Sequence, residues 1–452
     1  MELTAPSLPV PISLAVCGAA LVVVLLQVWR FRDVATTFLL LSIWFRYSIA
    51  AFHQFTYPPL GLGLSIAAIS SVVVVAVGVA VVGLRLMCLR KILPVYAIML
   101  VILISAAANN EWIGAVNELV KWLYLVVVAL AGWLAMSRHG ADRILGALTA
   151  VFVGPIVSQW ISVAMGLHLT NQDGTVCFIG GYQHEQMFSI ILLTFLFVTC
   201  FMRQRSIIPT LSRLAIVAVG LALANYRTSI LAAVLPISVL LISTFMARVI
   251  QRQRDLVFVI VGAVTVFVLI GVANLAQERF SDLGTAVSKG ASLIQPPQYF
   301  TTDERRLFSG RAYLWSQYIG AHLQGTIIEK LVGFGPEAWR GRFTYYAHNS
   351  FVSDLYELGY FGTAAFIWLL VANLLIARQV SNQRRLVLLA CHGGFFVLNL
   401  ATLPMWAIEG EILYGLLLAQ TWHLAAFESA RDKAAVVQSV PIGGARVLPE
   451  TA

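Results

Sequence analysis

The chain has 452 residues, of which 59% are hydrophobic and only 11% charged, with a formal net charge of +9. A water-soluble domain carries roughly 25% charged residues, so this composition excludes a soluble globule and points to a polytopic membrane protein. The positive charge does not mark a nucleic-acid binder, because its distribution follows the short loops between apolar runs.

Apolar runs fall near 12–29, 34–51, 60–83, 92–108, 114–136, 143–167, 186–202, 208–225, 228–247, 256–276, 352–377, 386–402 and 408–427. Each approaches the roughly 20 residues that a helix needs to cross hydrocarbon with its backbone groups paired. Arg30/Arg32, Arg85/Arg90/Lys91, Arg138/Arg143, Arg203/Arg205/Arg213, Arg248/Arg252/Arg254, Arg378/Arg384/Arg385 and Arg431/Lys433/Arg446 fall at alternate ends of successive runs. They make up 19 of the 30 basic residues, and such loops are cytoplasmic by the positive-inside rule. The N-terminus and the polar insert after the tenth run then lie on the opposite face. The expected fold is an all-α polytopic integral membrane protein with 13 transmembrane helices, or 12 if an early hairpin is misread. Residues 1–276 form an N-terminal bundle, 277–351 a large extracytoplasmic loop with short helices, 352–429 the C-terminal transmembrane helices, and 430–452 a polar, disordered cytoplasmic tail. The first run lacks the basic start and small-residue cleavage site of a signal peptide and is read as a retained span. Five scattered cysteines without CxxC spacing indicate neither a disulfide framework nor a thiolate metal site.

Charge within spans is sparse, and each instance calls for a partner or a function, since an unpaired charge in lipid costs at least a few kcal/mol. Arg46 and Lys121 lie at membrane depth or near its outer edge, with Glu118 one turn before Lys121; Glu409 and Glu411 open the last span. His184 and Glu185 end the outer connection 168–185, where they either line a site or cap the following span. Arg227 stands in the minimal outer turn Asn225-Tyr226-Arg227-Thr228-Ser229, with no acidic residue near it in sequence.

The insert and the head of the next span hold the densest polar chemistry: Arg311, Lys330, Glu337, Arg340, Arg342, His348, Asn349, Asp354 and Glu357, interleaved with Trp315, Trp339, Tyr345 and Tyr346. Ser309 is placed to cap a helix through Leu314, Trp315 and Tyr318, and Gly333-Phe334-Gly335-Pro336 breaks the chain before a second. Residues 282–302 read as loop, and Arg305 and Arg306, behind Asp303-Glu304, as a solvated charge run.

Ser309-Gly310-Arg311 with Trp315, the Gly333-Phe334-Gly335-Pro336-Glu337 turn, Ala347-His348-Asn349-Ser350-Phe351, and Glu357-Leu358-Gly359 with Gly362 together resemble the O-antigen ligase and Wzy-type polysaccharide polymerase superfamily. Tyr226-Arg227-Thr228 is similar to that family's arginine two spans before its loop, and the turn 181–186 takes the place of its polar turn. The resemblance implies a GT-C-like helical core in the bacterial inner membrane with one periplasmic loop. It also implies en bloc transfer of an oligosaccharide from undecaprenyl diphosphate to an acceptor hydroxyl at the periplasmic face, without nucleotide sugar, metal or other cofactor.

The residues suit such a transfer. A departing diphosphate gathers negative charge, which fixed guanidinium groups stabilise through bidentate contacts that never titrate away. Arg227 and Arg311 are the first candidates, then Arg340 and Arg342. His348 is the candidate base for the acceptor hydroxyl, with an ordinary imidazole pKa near 6.5; hydrogen-bonding the diphosphate or orienting the acceptor are its alternative roles. Asn349 is expected to orient the loop backbone and Glu357 to partner an arginine. Trp315 and its aromatic neighbours either stack on sugar rings or anchor the loop at the interface. No DxD, HExxH or carboxylate cluster for a divalent ion occurs in the insert.

Within the superfamily the acceptor distinguishes a polymerase, which extends another lipid-linked glycan, from a ligase acting on lipid A core and from relatives that glycosylate pilin. A polymerase is expected here, with the ligase as alternative and a lipid-linked oligosaccharide flippase as the reading from another class. Expected partners are the lipid-linked donor, a glycan or lipid A core acceptor, membrane lipids, a flippase and a chain-length regulator, but no nucleic acid.

Overall fold

The computed structural model describes residues 6–60, 64–171, 174–203, 206–275, 295–305 and 310–439. Short polar side chains start many of its helices. Asp33 accepts the Thr36 amide at 2.9 Å ahead of α2 (Val34–Ala51), and Ser65 accepts the Ala68 amide at 3.1 Å ahead of α3 (Ile66–Val82). Left-handed residues stop others: Arg32 ends α1 (Val10–Phe31), and Asn110 ends α4 (Leu93–Asn109), with φ of 49° and 59°. The first half continues through α5 (Trp112–His139), α6 (Ala141–Ala164, with a 3₁₀ stretch at Thr149–Phe152), α7 (Glu185–Phe201), α8 (Ile207–Ala224), α9 (Arg227–Met246) and α10 (Arg254–Leu275). A two-residue hairpin, β1 (Leu169–Thr170) and β2 (Val176–Cys177), is its only sheet among the described residues.

Among the described residues the insert holds the helices α11 (Arg311–Gln324) and α12 (Ile327–Val332), followed by α13 (Ser350–Glu357), α14 (Gly359–Arg378), α15 (Asn382–Ala401) and α16 (Ile408–Ser439). A helix lies at each of the 13 apolar runs, and nine among the described residues are long and apolar enough to cross a membrane. The protein is an all-α polytopic membrane protein.

Two expectations change. The run 352–377 is not one helix: it breaks at Leu358 and Gly359, where Gly359 has φ 65° and a Cβ would lie 2.5 Å from the Leu331 carbonyl carbon. Only glycine lets α12 end against the head of α14. The expected tail from residue 430 is helical as far as Ser439, because Ala434, Ala435 and their neighbours are adequate helix formers; residues 440–452 lie outside the described residues.

The core is built on α5, α7 and α16. Helix α7 is buried on nearly all sides, as a uniformly apolar helix should be. Small residues let α5 and α16 approach closely: a Cβ on Gly132 would stand 3.0 Å from the Ala419 methyl, and one on Gly415 3.1 Å from the Leu125 carbonyl oxygen. Two of the charged groups in the spans find ionic partners in this core, whereas the buried Glu411 carboxyl has no hydrogen-bond partner among the described residues. Arg46 on α2 donates to Glu409 on α16 through Nε at 2.9 Å and Nη2 at 3.3 Å. Lys121 reaches Glu118 at 2.6 Å.

The Arg46–Glu409 pair generates a direct expectation. Glu409→Ala leaves a buried guanidinium unpaired, a loss on the order of 3–5 kcal/mol, and should clearly lower the melting temperature of the detergent-solubilised protein. The double change Arg46→Met with Glu409→Leu should recover most of that loss; a single variant that melts like wild type would remove the pair from the determinants of the fold.

Candidate functional site

One cavity of about 630 Å³ opens at the insert end of the bundle, where the starts of α7, α9 and α11 meet the segment 344–348. Arg227, Arg311, His348, His184 and Glu185 all line it. Each arginine arrives through a local break in the chain. Asn225 stops α8 with φ 51°, so that Arg227 becomes the first residue of α9. Gly310, with φ 81°, turns the chain into α11, whose first residue is Arg311. Ser309, expected as the cap of this helix, lies outside the described residues.

A cation at the first position of a helix faces the positive end of the helix dipole, an unfavourable placement unless an anion joins it. Two such placements converge on this cavity, and neither guanidinium has an ion-pair partner among the described residues. A third arginine, Arg305, also lines the cavity, with Nε donating to the Phe300 carbonyl at 3.3 Å and the guanidinium 4.9 Å from the Tyr313 ring centre. Arg305 is exposed, as a solvated charge run should be, while also reaching the cavity. The carboxylate of Glu304 accepts the Thr301 amide at 3.0 Å and the Gln295 side chain at 3.3 Å.

The opposite wall carries hydrogen-bonding groups. His184 caps α7 by accepting the Gln186 amide on Nδ1 at 3.1 Å, so the 3.3 Å approach of the same nitrogen to Glu185 is a close contact within one turn, and we favour the cap because its backbone donor is fixed. This histidine therefore caps the helix and also lines the cavity. Asn171 donates to Glu185 at 3.4 Å, and the Tyr346 hydroxyl donates to Gln186 at 3.4 Å.

His348 is the most constrained residue of the site. Its φ is 49°, its ring lies 4.0 Å from the Tyr346 ring, and Nδ1 is buried with no hydrogen-bond partner among the described residues. Nε2 is not among the buried atoms that lack a partner, and the residue lines the cavity. Trp315 Nε1 donates to the Ala347 carbonyl at 2.7 Å and the Tyr318 hydroxyl to the Tyr345 carbonyl at 2.9 Å, so α11 holds the segment that carries the imidazole. On the other side Asn349 caps α13, accepting the Phe351 and Val352 amides at 2.9 and 3.2 Å while donating to the Leu400 carbonyl at 3.0 Å. Burial, and then the Arg311 guanidinium and the neighbouring His184, lower the His348 pKa to about 3, not the ordinary value expected from sequence.

Several expected ligands stand elsewhere. Arg340 is 60% exposed and reaches Glu337 at 3.3 Å, while Arg342 donates to the Tyr356 hydroxyl at 3.2 Å and packs over Phe334. Neither lines the cavity, because the turn 335–343 is drawn towards α5, where Lys121 lies 4.0 Å from Glu337. Trp315 and Asn349 act on the backbone from behind the cavity wall. Glu357 has no arginine partner among the described residues: it is buried, accepting the Glu337 amide at 2.8 Å and the Ser353 hydroxyl at 3.0 Å. Burial and the nearby Glu118 push its pKa up to about 8. Tyr226 and Gln317 line the cavity without having been singled out; Tyr226 adjoins Arg227 and Gln317 follows Arg311 by six positions.

The arrangement can hold a multiply charged anion between guanidinium groups and present it to an imidazole. In the empty site the His348 ring, followed by NMR, should titrate near 3, well below the usual imidazole value of about 6.5. Removing a neighbouring positive charge favours the imidazolium, so Arg311→Gln should move the midpoint upward; an unchanged midpoint would separate the two residues electrostatically.

Residues 212–367 match a family model described as O-antigen ligase, a stretch that starts in α8, includes Arg227, Arg311 and His348, and ends within α14. No curated protein matches the chain. His184 and Glu185 lie before the matched residues. Within the multi-pass helical fold, residues 212–367 are thus similar to the O-antigen ligase and Wzy superfamily, and the match covers both arginines and the histidine of the cavity.

Proposed function

We propose that this glycosyltransferase moves an oligosaccharide en bloc from undecaprenyl diphosphate to a glycan hydroxyl at the periplasmic face of the bacterial inner membrane, as a polysaccharide polymerase. The observation that carries the reading is the convergence of Arg227 and Arg311, without carboxylate partners among the described residues, on a cavity that His348 also lines. The bond between the anomeric carbon and the diphosphate oxygen breaks, and the electron pair leaves with the diphosphate. A bond from the acceptor oxygen to the anomeric carbon forms, and the acceptor proton passes to His348 Nε2. Arg227 and Arg311, helped by Arg305, take up the charge developing on the leaving group.

The low pKa of His348 gives this reading an order of events. A base near 3 removes a hydroxyl proton poorly. Once a donor diphosphate lies against Arg311, its negative charge offsets the guanidinium and raises the imidazole pKa. The base is therefore armed by donor binding. Glu185 and its neighbours on the opposite wall offer acceptors and donors to the incoming glycan.

The ligase reading has the description of the matched family on its side. The two differ in what a deletion strain accumulates on undecaprenyl diphosphate: single repeat units for a polymerase, long chains for a ligase. Purified protein given the lipid-linked donor and acceptor should form product with EDTA present, since guanidinium groups supply the positive charge. Arg227→Ala and Arg311→Ala should each lower transfer by about 10²–10³-fold, and His348→Ala by about 10²–10⁴-fold. Full activity in Arg227→Ala and His348→Ala together would overturn the site, and loss of product on chelation would overturn the metal-free scheme.

A further inference from the structure

Helices α11 and α12 belong to the insert, yet each carries an apolar face that the protein does not cover. On α11, Leu314, Tyr318 and His322 recur at helical spacing and are buried, whereas Ile319 and Leu323 point the other way and are exposed. Thr326 and Glu329 form a capping box that starts α12, and directly after the cap Ile327 and Ile328 are 77% and 64% exposed, with Leu331 open one turn on. Five large aliphatic side chains on two short helices form a patch of the kind that soluble surfaces rarely leave in water.

The patch is continuous with surface that meets lipid. Helix α12 ends on the head of α14 through the close approach at Gly359, and the His322 ring meets the Tyr360 ring edge-on at 4.9 Å. Asn109, at the end of α4, donates to the Gly333 carbonyl at 3.0 Å. Phe361 on α14 and Leu103 and Ile104 on α4 carry the exposed apolar surface onward along membrane-length helices. The side chains flanking the patch are of the kind found at a lipid boundary: Tyr360 is an interfacial aromatic, and Lys330 has a stem long enough to keep its ammonium in water.

We propose that α11 and α12 are an interfacial helix pair, with Ile319, Leu323, Ile327, Ile328 and Leu331 immersed at the headgroup–acyl boundary of the leaflet that α14 enters. Because Arg311 is the first residue of α11, immersion holds the cavity at the depth of lipid phosphates. If the donor reading above is right, a diphosphate carried on a polyprenyl chain then reaches the arginines without leaving the membrane. The immersion itself does not depend on that reading.

The test is optical and needs no substrate. Of the native cysteines, Cys88 is exposed and Cys17 partly so, while Cys177, Cys200 and Cys391 are buried. Full-length protein carrying Cys88→Ser and Cys17→Ala, with Ile327→Cys or Ile328→Cys labelled by an environment-sensitive fluorophore, is reconstituted in phospholipid nanodiscs. Phe361→Cys serves as the lipid reference and the exposed Asp303→Cys as the water reference. Blue-shifted emission at Ile327 and Ile328, with quenching by nitroxide-bearing lipids close to that at Phe361, is expected. Emission and quenching like those at Asp303 would overturn the proposal. So would a blue shift without lipid quenching, because protein rather than lipid would then cover the patch.

Discussion

A charge at the edge of hydrocarbon must be paired or pay for its isolation, and that constraint orders this protein. Arg46 spends its guanidinium on Glu409 and Lys121 its ammonium on Glu118, both across or along the packed helices. Arg227 and Arg311 are handled differently. They sit at the first positions of α9 and α11, against two helix dipoles, with no ion-pair partner among the described residues, although Glu185 lines the same cavity. Guanidinium groups without ion pairs in one polar cavity favour an anion, the role proposed above for the donor's diphosphate.

The second requirement is geometric, and α11 meets it. Arg311, Trp315 and Tyr318 recur along the helix at spacings of four and three, so one face carries the cation and the two donors that grip the backbone before His348. Cation and imidazole are therefore spaced by a single rigid element. Tyr318 is itself locked, stacked on Phe343 at 4.0 Å and edge-on to Tyr356 at 5.2 Å, so the grip rests on a small aromatic core of the insert.

A wall of Trp339, Tyr346 and Trp406 separates the cavity from the paired charges on α5. Tyr346 faces His348 at 4.0 Å and Trp406 at 5.1 Å, and the Lys121 ammonium stands 5.7 Å from the Trp406 ring centre. The wall keeps water and the Lys121–Glu118 pair away from the imidazole, in keeping with burial as the first cause of its low pKa. The left-handed backbone at Glu337 and His348 shows that the chain accepts local strain at both ends of this segment.

Sequence alone determined where the helices lie, because spanning hydrocarbon requires long apolar runs whatever their neighbours do, and it pointed to Arg227, Arg311 and His348 through a resemblance carried by short motifs. It could not settle which arginines share a cavity. Arg340 and Arg342 belong to the same polar insert as Arg311, yet Glu337 and Tyr356 claim them, while Arg305, exposed as its charge run suggested, also lines the cavity. Glu357 had the spacing of an ion-pair partner but was taken up by a backbone amide. The break at Gly359, the depression of the His348 pKa and the convergence of α9 with α11 all depend on contacts between residues far apart in the chain. Such contacts form only when the helices pack, and the tertiary structure alone decides them.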